Sequence, residues 1–395
     1  MESSLDVKAF LQQMVEAQAS DIFVVTGRPL TYAAKGSLRD IGGERLLPED
    51  TKALIREVYA LADRDFTVME ANGNHDEDFS FAIPGVGRFR ANVFRQRGSF
   101  SAVIRVIPFG LPDPAQLGIP EEVLRLSKLQ KGLVLVTGPA SSGKSTTLAC
   151  IVDRMNHERD GHIVTLEDPI EYVHRHGTCI VTQREIPTDV ATYAEALRSA
   201  LRQSPDVILL GEMRDVETTA TAMTAAETAQ LLFSTLHTTS AAGTVDRIVD
   251  NFPAEQQHQI RIQLSLVLQA IVSQQLVPTV DGEQIPVFEI MISNPAIRNL
   301  IRERKTHQID SVIAAGGANG MRTMDQSLFA LAKEGRITGE TALRFSVHEE
   351  LGPAHPSHRE PSLPAGMQRR SIVARPAFSG GHFFPRNQKI QERIL

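Results

Sequence analysis

The chain has 395 residues, enough for two or three domains with separate cores. Hydrophobic residues make up 42% and charged residues 22%, as in an ordinary globular protein, and no apolar run approaches the ~20 residues that cross a bilayer. A formal net charge of −6 argues against nucleic acid as the main partner, and two cysteines, Cys150 and Cys179, without a near pair argue against a zinc site.

Residues 1–10 carry Glu2 and Asp6 and lack a basic segment followed by an apolar one, so no signal peptide is read and a cytoplasmic location is expected. Residues 1–110 read as a small α/β domain. Phe10, Leu11, Met14 and Val15 mark one apolar helical face, residues 20–25 a short strand ended by Gly27, and residues 48–61 a second helix. Residues 87–94 and 101–107 alternate in character with period two, as half-buried strands do. The stretch Pro108-Phe109-Gly110-Leu111-Pro112-Asp113-Pro114 breaks the pattern and is read as a domain boundary.

Residues 111–348 switch to short apolar strands between longer helices, the pattern of a parallel sheet covered on both faces. The strands expected are 133–137, 163–166, 207–210 and 231–235. Residues 349–395 are rich in proline, histidine, glycine and arginine without periodicity, and are read as a disordered tail.

Between the first of these strands and a helix lies Gly138-Pro139-Ala140-Ser141-Ser142-Gly143-Lys144-Ser145, which fits the phosphate-loop pattern G-x-x-x-x-G-K-S/T in the strand-to-helix context that it requires. Glycines let successive N–H groups converge on phosphate oxygens, and the helix N-terminus adds its positive end. Gly138, Ser141, Ser142, Gly143, Lys144, Ser145 and Thr146 are therefore the expected ATP-binding residues. Lys144 would neutralise the β- and γ-phosphates and the Ser145 hydroxyl would ligate Mg²⁺.

Ligands of open parallel sheets sit beyond the carboxyl ends of the strands. Three further strands run out there into polar segments: Glu167-Asp168-Pro169-Ile170-Glu171, Gly211-Glu212-Met213-Arg214-Asp215 and His237-Thr238-Thr239. A nucleoside triphosphatase needs a carboxylate to orient the attacking water and acidic support for the metal shell. Glu171 and Glu212 are the candidates, with His237 as a sensor of the γ-phosphate or a structural histidine.

These segments, in this order, resemble the Asp box, atypical Walker B and His box of the secretion ATPase superfamily, and Ala296-Ile297-Arg298-Asn299-Leu300-Ile301-Arg302-Glu303 resembles the motif of its pilus-retraction branch. The resemblance runs from about Leu5 to His348. It implies a PAS-like N-terminal domain, a RecA-like P-loop ATPase domain and a homohexamer, acting on an inner-membrane pilus platform protein from the cytoplasmic face, with a paralogous retraction ATPase as a possible companion. It assigns the catalytic glutamate to Glu171, the Walker B glutamate to Glu212, nucleotide-reaching arginines to Arg90, Arg105 and Arg97, and coupling to Arg298, Asn299, Arg302 and Glu303. Ile297, Leu300 and Ile301 share one face of that last segment, so a plain surface helix with an apolar stripe fits it equally.

One position departs from the family pattern. A histidine usually precedes the His-box strand, and this chain has Gln230 there, which hydrogen-bonds but carries no charge. That substitution keeps open an auxiliary PilU-like subunit or a nucleotide-gated structural subunit. An extension or type II secretion ATPase is less expected, since the chain starts near the PAS-like region and lacks a tetracysteine module. A DNA translocator is disfavoured by acidity and by the lack of an aromatic stacking cluster.

Overall fold

The computed structural model describes residues 6–34, 37–71, 76–107 and 110–347. The expected tail, 349–395, lies outside the described residues, as do Pro108 and Phe109 of the expected boundary.

Among the described residues the strands form two sheets, each with its own core. The first holds β1 (Asp21–Val24), β2 (Leu30–Ala34), β3 (Ser37–Ile41), β4 (Glu77–Ile83), β5 (Gly87–Gln96) and β6 (Ser99–Ile107), in the order β3-β2-β1-β6-β5-β4 and antiparallel throughout. A hairpin before the helices and a three-strand meander after them give the PAS-like arrangement, with β3 added at one edge. β5 alternates buried and half-buried residues along most of its length, as the period-two reading requires. The helices Val7–Glu16 and Pro48–Leu61 supply Phe10, Leu11, Met14, Ile55 and Tyr59 to the core beneath it. Tyr59, Phe66, Phe79, Phe81, Phe89 and Phe100 interlock there with ring centroids 4.8–6.2 Å apart.

The second sheet holds β7 (Gly132–Thr137), β8 (Gly161–Glu167), β9 (Cys179–Glu185), β10 (Val207–Leu210), β11 (Leu231–Leu236), β12 (Leu268–Pro278) and β13 (Gln284–Ile292). Its order is β13-β12-β7-β11-β10-β8-β9, parallel except for the β12–β13 pair. This is the RecA-like α/β arrangement. The four expected strands occupy its centre, and β7, β10 and β11 are buried at every position. A residue buried on both faces must be apolar in either direction, which is why these strands read as unbroken apolar runs. Because β7, β11, β10 and β8 are parallel neighbours, their carboxyl ends open on one edge, and that edge carries the site.

Candidate functional site

A cavity of about 480 Å³ lies on that edge. Residues Ala140 to Thr146 form one side of it, and Glu167, Glu171, Glu212 and His237 come from the other three strand ends. Sequence reading therefore brings together Ser141, Ser142, Gly143, Lys144, Ser145, Thr146, Glu171, Glu212 and His237 at one place.

The loop after β7 is tightly held. Gly138 has φ of 146°, and a Cβ there would meet the Gln274 carbonyl oxygen at 2.0 Å, so no side chain fits. Gly143 caps the helix Lys144–Glu158 in the left-handed conformation. Lys144 Nζ folds back to donate to the Gly138 and Pro139 carbonyls at 2.9 and 2.8 Å. Burial lowers the Lys144 pKa, while the charges of Glu171 and Glu212 oppose that shift. The ammonium thus lies in the field of both candidate carboxylates and on loop carbonyls that a phosphate would replace.

Gln274, on β12, braces the loop from behind. Its Nε2 donates to the Ser142 carbonyl at 2.7 Å, and its Oε1 accepts from Thr147 Oγ1 at 2.7 Å. Thr146 Oγ1 meets Tyr172 OH at 2.9 Å and so joins the helix start to the segment bearing Glu171. Among the described residues the Ser142 hydroxyl is buried with no partner, and it is placed to face a phosphate oxygen.

Glu171 is exposed to the cavity, four residues past the end of β8. Glu167, the last residue of β8, accepts from Thr165 Oγ1 at 2.6 Å and from Gln183 Nε2 at 3.3 Å. Burial pushes its carboxyl up to about 7. Glu212 is 8% exposed, with Oε1 2.5 Å from Arg214 Nη2 and Oε2 3.7 Å from His237 Nε2. Gly211 stands where a Walker B strand would usually carry an acid, and a side chain there would require Tyr193 to shift. A Cβ there would meet Tyr193 OH at 2.7 Å.

The remaining candidates lie elsewhere. Arg90 and Arg105 are on the first sheet, 3.7 Å from Asp78 and 3.0 Å from Asp21. Arg97 sits with φ of 51° between β5 and β6. None of the three lines the cavity of its own chain. Arg298, Asn299 and Arg302 are on the helix Pro295–Arg302, which Glu303 caps. Its stripe is real, for Ile297 and Ile301 are fully buried. Asn299 Nδ2 donates to Glu303 Oε1 at 2.8 Å, and Arg298 Nε donates to Ser293 Oγ at 3.3 Å. Gln230 precedes β11, at the sheet edge opposite the cavity, where its backbone carbonyl accepts from Gly132 N.

Sequence reading missed Gln274, Tyr172, Gln183 and Tyr193. The signal for Gln274 was present: a polar Ser273-Gln274-Gln275 run inside an otherwise apolar segment must find hydrogen-bond partners if buried. Tyr172 and Gln183 have no comparable local mark.

A family model described as Type II/IV secretion system protein matches residues 3–331. The chain is 46% identical over 339 residues to the "Type IV pilus retractation ATPase PilT" of Pseudomonas aeruginosa, covering 86% of this chain and 97% of that protein. It is 49% identical over 278 residues to a "Twitching motility protein" of Neisseria gonorrhoeae, covering 70% and 74%. Among solved structures, the pilus retraction motor PilT with bound ADP matches with a TM-score of 0.79 at 46% identity, covering 87% of this chain and 98% of that one.

Proposed function

The chain belongs to the type II/IV secretion system protein family, and on that basis we propose that it is an ATPase motor that hydrolyses ATP to drive type IV pilus retraction and twitching motility. The observation that carries this reading is the phosphate loop facing Glu171 and Glu212 across one cavity, in a chain that aligns with almost the whole of a retraction ATPase.

The triphosphate would lie along the N–H groups of the loop, with Lys144 leaving the Gly138 and Pro139 carbonyls for the β- and γ-phosphates. Glu171 would orient the attacking water and take its proton as the γ-phosphoryl leaves. The Ser145 hydroxyl and the Glu212 carboxylate offer the hard oxygen donors that Mg²⁺ takes, and the Glu212 charge is already balanced by Arg214. When bound, the metal would neutralise charge on the phosphate oxygens. His237, beside Glu212, would report on the terminal phosphate. Arg90, Arg97 and Arg105 would close on the nucleotide by movement of the first sheet or from a neighbouring copy, since a guanidinium arriving with the γ-phosphate rewards closure. The division at residues 110 and 348 fits two sheets that work against each other.

The working form is proposed to be a homohexamer at the cytoplasmic face of the inner membrane. It would act on the pilus platform protein through the helix Pro295–Arg302, with a paralogous retraction ATPase as an accessory partner. Among the described residues, no helix is long and apolar enough to cross a membrane. Deleting the gene and imaging pili tests the direction of the motor. Hyperpiliated cells that fail to retract are expected; bald cells would assign extension instead.

A further inference from the structure

Glu185 ends β9 at the edge of the second sheet and is 3% exposed. A carboxylate so buried persists only with several partners, and these come from the first sheet and from the loops that follow β8 and β9. Its Oε2 accepts the Ile170 N–H at 3.0 Å, and Ile170 immediately precedes Glu171. The same oxygen accepts from Arg88 Nη2 at 2.9 Å, and Arg88 lies on β5 of the first sheet, 97 residues away. The Ser80 side chain, on β4, adds a further hydrogen bond. Thr188 Oγ1 stands 3.4 Å from Oε1. Burial alone would push the Glu185 carboxyl up, but the hydrogen bonds from Ser80 and Ile170 and the Arg88 guanidinium outweigh it and hold the pKa below its ordinary value.

We propose that Glu185 is a positioning residue whose carboxylate ties the first sheet, through Arg88, to the backbone of the loop that carries Glu171. Displacement of the first sheet would then pull on the one N–H next to Glu171, and closure would set that carboxylate over the phosphate loop. Arg88 Nε is buried without a partner among the described residues, so the pair holds at some cost, as suits a contact made in one state and released in another. The inference rests on the reading of Glu171 as the residue that faces the attacking water.

The test uses the full chain with Arg88→Met, Glu185→Gln and both together. Hydrogen exchange of residues 168–178 should rise about tenfold in Arg88→Met, because the carboxylate that accepts from the Ile170 amide loses the guanidinium that holds it in place. Turnover should fall about tenfold while ADP affinity holds within about twofold, since Gln274 secures the phosphate loop independently. The double variant should be no worse than the weaker single one, as for two halves of one contact. Unchanged exchange in that loop, or losses that simply add, would overturn the proposal. If Arg88→Met does not fold, Arg88→Gln, which keeps a polar side chain without the charge, gives the same readouts. The exchange measurement does not depend on what Glu171 does. Normal turnover by Glu171→Gln alongside a loosened loop in Arg88→Met would remove the Glu171 reading and leave the tie in place.

Discussion

Lys144 and Glu171 are separated by 27 positions in the chain and share one cavity because two parallel strands end on the same edge. What each residue does there follows from its surroundings more than from its type. Glu171 faces solvent, whereas Glu167, four residues earlier, is held by Thr165 and Gln183 with its carboxyl near 7. An unfolded glutamate titrates near 4.5. Between those values the folded chain keeps a proton that the unfolded chain has released, so this group makes stability fall as pH rises from about 4.5 to about 7 and level off above. Glu167→Gln removes that dependence. Denaturation at pH 5 and pH 7.5 should show the variant gaining on the parent chain as pH rises. Glu289, also near 7, is common to both proteins and cancels in the difference. A difference that does not change with pH would contradict the assignment. The loop residues themselves were legible because their pattern is contiguous. The polar Ser273-Gln274-Gln275 run marked Gln274 as a residue in need of partners, but not that its partner is Ser142, 132 positions away.

Elements place these residues, and their ends carry visible signals. The helix Val216–Glu227 starts at Asp215, whose Oδ1 accepts from Thr218 N and whose Oδ2 accepts from Thr218 Oγ1, both at 2.7 Å. This cap fixes the far end of the segment that carries Glu212 and Arg214. Asp215→Ala should cost about 1 kcal/mol, read as a lower urea midpoint with an unchanged slope. No shift in the midpoint would mean that the cap contributes nothing. The central strands were legible from their apolar runs, and the helix Val7–Glu16 from its apolar face. β9 was not read, because as an edge strand it carries Thr182, Gln183, Arg184 and Glu185 and its apolar run is only Cys179-Ile180-Val181. β12 and β13 were not read either. In β12 the buried Ser273-Gln274 pair breaks the pattern at the point where it serves the phosphate loop.

At the scale of the molecule, the first sheet sits between sequence and function in a way that no motif states. Its period-two strands were read correctly, yet its arginines Arg90, Arg97 and Arg105 do not line their own chain's cavity, and Arg88, which sequence gave no reason to single out, reaches the second sheet instead. A motor needs such a division: one part holds nucleotide, and another moves when the nucleotide changes. The proposed ring assembly and domain movement both become useful only if the cavity turns ATP over. The most direct measurement is therefore phosphate release by the purified chain and its Glu171→Gln variant in a single turnover with ATP and Mg²⁺, alongside ATP affinity. The account predicts binding within about threefold of the parent chain and release slower by at least about a hundredfold. Release by Glu171→Gln at the parent rate would contradict it.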